Sequence, residues 1–177
     1  MIYTFDTYYI NPIQAKDAWK LCDFMVANED RLKLYFPQTL EQNSTPDLAT
    51  YFAIKKVKQF ELKEEFLFTI KEQETNTLVG LVYIKELDWD KKQAEFAYCI
   101  GYPFESKGIT SKATHILSKH AFVNLGLNTL QIIVHKDNIP SIHVAKKGHF
   151  IWQRTLKNEF TPRGKNPIDM ELYELYK

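Results

Sequence analysis

Apolar side chains recur along this chain with two periods, and the places where one gives way to the other mark its elements. Residues 7–10 form a short β-rich run that Asn11-Pro12 stops. Beyond it, Ala15, Ala18, Trp19, Cys22, Met25 and Val26 fall three or four apart, which predicts an amphipathic helix. Asn28-Glu29-Asp30 interrupts that pattern. Leu32, Leu34, Tyr35 and Phe36 then predict a second short helix or turn ahead of Pro37, because the residue before a proline resists helical geometry. Residues 40–47 are polar and predict a loop ending at a helix cap, with Pro46 at a tolerated first-turn position and a helix over residues 48–62. The Lys55, Lys56 and Lys58 cluster on that helix reads as a solvated face.

The period then shortens to two. Phe66, Phe68 and Ile70 alternate, residues 72–76 make a polar turn, and residues 78–87 continue as a long strand, which together predict a hairpin. A second polar turn leads into a third strand over residues 93–100, with Ala94, Phe96, Tyr98 and Ile100 on one face and Glu95, Ala97 and Cys99 on the other. Gly101 and Pro103 follow. Lys107-Gly108-Ile109-Thr110-Ser111 then opens a helix whose stripe of Ala113, Ile116, Leu117, Ala121 and Phe122 ends at Gly126. Residues 130–134, rich in β-branched side chains, predict a central strand covered on both faces. Strand, helix and strand in this order imply a crossover with the last strand parallel to the first. Another helix starts at residues 137–141 and ends at Gly148, followed by a strand over 150–156, a loop over 160–167 and a final strand over 168–176. The fold class expected is α/β (α+β): a mixed, mostly antiparallel sheet with one parallel crossover and helices on both faces.

Composition narrows the picture. The 177 residues are of single-domain length, so one domain over 1–177 is expected, and a 45% hydrophobic share supplies a core. No run approaches the roughly 18 apolar residues of a membrane span, and the start lacks the basic and long apolar regions of a secretory signal. These point to a cytoplasmic protein without a membrane partner. A net charge of +1 argues against a nucleic-acid domain and for a small-molecule or peptide partner. Cys22 and Cys99 lie far apart in unlike contexts with no histidine at ligand spacing, so neither a disulfide framework nor a metal site is indicated. Monomer and homodimer both stay open.

Candidate chemistry begins where the third strand meets its glycine turn. A helix start leaves backbone N–H groups without intrahelical partners and carries partial positive charge, so a turn bearing Gly108 ahead of a helix makes an anion site. Lys107, Lys112, Thr110 and Ser111 add charge and hydroxyls. Asn138 is placed to cap the following helix by accepting the N–H of Ser141.

Two motifs in this setting, Glu105-Ser-Lys-Gly-Ile-Thr110 and Asn138-x-x-Ser141, together resemble the GNAT acetyltransferase superfamily, RimJ/RimL-like branch, over essentially the whole chain. The resemblance implies an acetyl-CoA-dependent N-acetyltransferase whose cosubstrate's diphosphate lies at Lys107, Gly108, Ile109, Thr110 and Ser111. It implies that the pantetheine arm meets Tyr98, Cys99 and Ile100 between splayed strand ends, with a further contact from Asn138. It makes Glu95 the candidate base, with His135 an alternative, and Ser141 the candidate acid, because Ala145 occupies the position where many relatives use a tyrosine. The implied acceptor is a primary amine, most like the N-terminal amine of a ribosomal protein; small amines such as polyamines, aminoglycosides or amino acids, and a non-catalytic acyl-CoA-binding module, are the alternatives. Trp89, Tyr35 and Phe36 are candidate acceptor lining. The chain departs from the family pattern where Glu105 replaces Arg or Gln, Ser106 replaces glycine, Thr110 replaces Gly or Ala, and Gly148-His149 inverts the usual order. A carboxylate at Glu105 repels a diphosphate unless Lys107 or Lys112 intervenes.

Overall fold

The computed structural model describes residues 2–162 and 164–177. In chain order these form β1 (Tyr3–Phe5), β2 (Tyr8–Pro12), α1 (Ala18–Ala27), α2 (Glu29–Tyr35), α3 (Pro37–Glu41), α4 (Pro46–Glu61), β3 (Phe66–Glu72), β4 (Leu78–Asp88), β5 (Gln93–Ile100), α5 (Ile109–Val123), β6 (Thr129–Val134), α6 (Ile139–Lys147), β7 (Ile151–Phe160) and β8 (Ile168–Tyr176). The strands hydrogen-bond in the order β1-β2-β3-β4-β5-β6-β8-β7. β5 and β6 are parallel, as the strand, helix and strand order requires, while β1–β2, β2–β3, β6–β8 and β7–β8 are antiparallel. The chain divides into two compact units: one holds the chain up to Tyr83 with Tyr98–Thr110, the other holds Ile84–Ala97 with Ser111–Lys177.

In the first unit, β3 is buried from Phe66 through Lys71, so it is covered on both faces rather than on the one that alternation predicts. α4 begins with Thr45 capping the Leu48 N–H and Pro46 in its first turn, and it lays Phe60 edge-on against Phe66 and Phe68, ring centroids 4.9 and 5.3 Å apart. Burial of β3 extends to charge. Lys71 Nζ lies 2.6 Å from Asp17 Oδ1, each side chain only 2% exposed, and Asn11 Oδ1 accepts both from Lys71 and from the Thr69 hydroxyl. A charge this deep is tolerated because it is paired and hydrogen-bonded.

Several expectations need correction here. β1 was not anticipated, being three residues long, and β2 continues through Asn11-Pro12 instead of stopping before it. Pro37 opens α3, the use of proline at a first helical position, where a polar loop from residue 40 was expected. Trp19 and Val26 fall outside the buried stripe of α1. The lysine cluster of α4 is not wholly solvated: Lys56 Nζ pairs with Glu65 Oε1 at 2.6 Å and lies over the Phe52 and Tyr83 rings. Along β5 the buried face switches after Phe96, so Cys99 is buried while Tyr98 and Ile100 are half-buried. Gly80 on β4 permits that packing, since a Cβ there would come 2.8 Å from the Cys99 carbonyl oxygen.

In the second unit, β6 is half-buried by alternation, not covered on both faces: Leu130, Ile132 and Val134 are buried while Gln131 turns to a polar ladder. There Gln93 Nε2 donates to Gln131 Oε1, and Gln131 Nε2 donates to Glu174 Oε1 at 2.6 Å. α5 closes as anticipated, with Gly126 at φ +72° and the Leu127 N–H returning to the Ala121 carbonyl. α6 differs: Gly148 is in an ordinary conformation and the left-handed residue is His149 at φ +63°.

Candidate active site

The turn ahead of α5 is built from the end of β5 outward. The Gly101 N–H donates to the Val79 carbonyl at 2.8 Å, and Tyr102–Phe104 then wind into one 3₁₀ turn behind Pro103. The Tyr102 N–H donates to Asn28 Oδ1 at 2.9 Å, which ties this turn to the start of α2. Ser106 and Gly108 both take positive φ, +58° and +73°, and Ile109 buries its side chain and so anchors the first residue of the 15-residue α5. A Cβ added at Gly108 would meet nothing within 4 Å, so the space beside that backbone is open. Lys107 is exposed, its ammonium 5.2 Å from the Phe104 ring centroid, and Lys112 is exposed on the first turn of the helix. A glycine-bearing turn ahead of a long helix, with Lys107 and Lys112 exposed beside it, is the kind of setting in which backbone N–H groups and positive charge meet an anion.

Glu105 is not left to oppose it. Its carboxylate is ion-paired with the Arg31 guanidinium of α2, a partner not anticipated from the sequence. Arg31 also donates to the Ile100 carbonyl at 3.3 Å and lies over the Tyr102 ring. Arg31 has no motif signal in the sequence; its position one turn after the Asn28 break in a charged run is the sole hint.

Cys99 is closed off, and burial pushes its thiol pKa up to about 12, so it is no nucleophile at neutral pH. Tyr98 and Ile100 flank it, half-buried, presenting the backbone that the resemblance assigns to the pantetheine arm.

In the second unit Glu95 lies opposite Gln131 in the parallel register, on the face that carries the polar ladder. Its side chain is 16% exposed, and Lys85 Nζ of β4 lies 2.9 Å from its Oε1. Burial raises its pKa above the ordinary carboxylate value, with Lys85 opposing and Glu86 and Glu159 reinforcing. A carboxylate whose pKa is raised is a stronger base than one in water. Lys85 was not anticipated; the residue after it, Glu86, takes a left-handed φ of +50°.

His135, the alternative base, has its Nδ1 3.3 Å from the Asp137 backbone nitrogen and 3.7 Å from Asp137 Oδ2. Asn138 Oδ1 accepts from the Ser141 N–H at 3.3 Å, so the anticipated cap of α6 is present, and Ala145 is fully buried. Among the described residues no helix is long and apolar enough to cross a membrane.

The profile of the acetyltransferase (GNAT) domain matches residues 8–151, and the chain belongs to that family. Spermidine N(1)-acetyltransferase of Escherichia coli K12 is 31% identical over 97 residues, 54% of this chain and 52% of that protein, so the match spans about half the length of that relative. The putative ribosomal N-acetyltransferase YdaF of Bacillus subtilis is 26% identical over 95% of this chain and 90% of its own. Among solved structures, the ribosomal L7/L12 α-N-protein acetyltransferase RimL in complex with coenzyme A superposes with a TM-score of 0.89, covering 99% of this chain and 98% of that one at 18% identity. That likeness shows the GNAT fold.

Proposed function

We propose that the protein is a single-domain N-acetyltransferase that moves the acetyl group of acetyl-CoA to a primary amine, with a protein or peptide N-terminal amine, of the ribosomal kind, as acceptor. The observation that carries this reading is Glu95, a mostly buried carboxylate held by Lys85 on the strand that leads directly into the α5 turn. Acetyl-CoA supplies an activated thioester. Glu95 takes the proton that the amine sheds as its nitrogen bonds to the acetyl carbon, directly or through one water, and its negative charge draws a cationic amine to the site. Ser141, placed in the first turn of α6 by Asn138, gives its hydroxyl proton to the sulfur as the carbon–sulfur bond breaks and takes one back from water, to which Glu95 releases the proton it accepted. The diphosphate is bound by Lys107, Gly108, Ile109, Thr110 and Ser111, and the pantetheine arm by the backbone of Tyr98, Cys99 and Ile100 with Asn138 beyond. Ribosomal acceptors are favoured because YdaF, alignable over nearly all of this chain, is named for them.

A polyamine acceptor is the second reading, favoured by the local identity to the spermidine enzyme. Mass spectrometry of ribosomal-protein N-terminal peptides and spermidine, each incubated with acetyl-CoA, separates the two. Peptide acetylation is expected to dominate, and Glu95→Gln to lower turnover at least tenfold while coenzyme A binding persists. Binding without turnover on either acceptor would instead favour a non-catalytic acyl-CoA module.

A further inference from the structure

Glu105 stands at the mouth of an anion-binding turn, and everything nearby is arranged to manage its charge. Its carboxylate and the Arg31 guanidinium are paired at 34% and 36% side-chain exposure, a setting in which an ion pair adds little to stability. The arginine nevertheless makes two more contacts, to the Ile100 carbonyl and the Tyr102 ring, and Asn28 one helical turn earlier accepts the Tyr102 N–H. Asn28 is itself buried, its Nδ2 donating to the Phe24 carbonyl, and the Phe24 ring lies where a Cβ on Gly101 would approach it to 3.3 Å. The corner between α1 and α2 thus grips the stretch from Ile100 to Glu105 at four successive points. The planar guanidinium suits this, because its fork serves a carboxylate and a carbonyl while its face lies on a ring.

We propose that Arg31 is a positioning residue for cosubstrate binding. It neutralises Glu105 and draws that side chain toward α2, so that the turn ahead of α5 presents N–H groups and Lys107 to a diphosphate without an opposing negative charge. This rests on the reading of that turn as the diphosphate site.

Calorimetric titration of coenzyme A, with no acceptor and no turnover, tests it. Wild-type protein is expected to bind, Arg31→Ala to bind at least tenfold more weakly, and Arg31→Ala/Glu105→Gln to return to within about threefold of wild type, because removing the carboxylate removes the need for its partner. Arg31→Gln, which preserves bulk, is expected to follow Arg31→Ala and serves where the smaller side chain fails to fold. A merely structural role for Arg31 predicts no rescue by Glu105→Gln. Binding by Arg31→Ala within twofold of wild type, or a double variant no better than the single one, overturns the proposal alone. Absence of wild-type binding at millimolar coenzyme A overturns it together with the reading of the turn.

Discussion

At Glu95 two influences act on one proton. Burial raises the pKa, Lys85 lowers it, and the balance lies above the ordinary carboxylate value. As the proposed base the group works deprotonated, so the acidic limb of kcat/KM is expected to report its pKa in the free enzyme. Lys85→Gln removes the influence that lowers it, so that limb is expected to move to higher pH. A pH–rate profile that stays in place, or moves down, would separate Glu95 from the titrating base. The carboxylate itself was readable from strand alternation. Its lysine was not, because strand alternation shows which face a residue takes but not which side chain of the neighbouring strand it meets. Arg31 was hidden for a related reason: the sequence shows which charges lie near each other along the chain, whereas Glu105 is met by a residue 74 positions away.

At the scale of elements, the ends of helices are where local rules and this chain disagree. α6 stops at Gly148-His149, and the left-handed conformation that glycine accepts without strain is taken by the histidine, at φ +63°. His149 is exposed, so little packing is lost by shortening it. His149→Gly is expected to stabilise the protein by up to about 1 kcal/mol through relief of that strain, read as a higher denaturant midpoint at unchanged slope. A lower midpoint would mean that the side chain contributes more than its backbone costs. Strong periods made β3, β4, β5, α4 and α5 legible. β1 is too short to show a period, and Pro37 was read as the end of one helix when it is the beginning of the next. The strand order at the far edge was likewise beyond periodicity, since β8 is made last yet pairs with β6.

Across the whole molecule, apolar patterning carries most of the sheet, while the core also holds a buried charged pair. Lys71 is buried on β3 with its ammonium against Asp17, and burial lowers its pKa while Asp17 works to restore it. Asp17→Ala leaves that ammonium buried without its counter-charge and is expected to cost about 3–5 kcal/mol. Asp17→Leu with Lys71→Met, which removes both charges, is expected to recover most of that loss. Denaturant unfolding of the three proteins decides it, and equal stabilities of the single and double variants would show that the pair is not what the core requires.

The place of β8 also sets an order in time. β7 is made before β8 but lies outside it, paired to it along the edge of the sheet. During synthesis at roughly 5–20 residues per second, residues 151–160 therefore spend on the order of a second without the neighbour they will pair with. The register breaks after Trp152 and Leu156, together with Lys157, Asn158 and Glu159, make the waiting strand a poor template for another nascent chain.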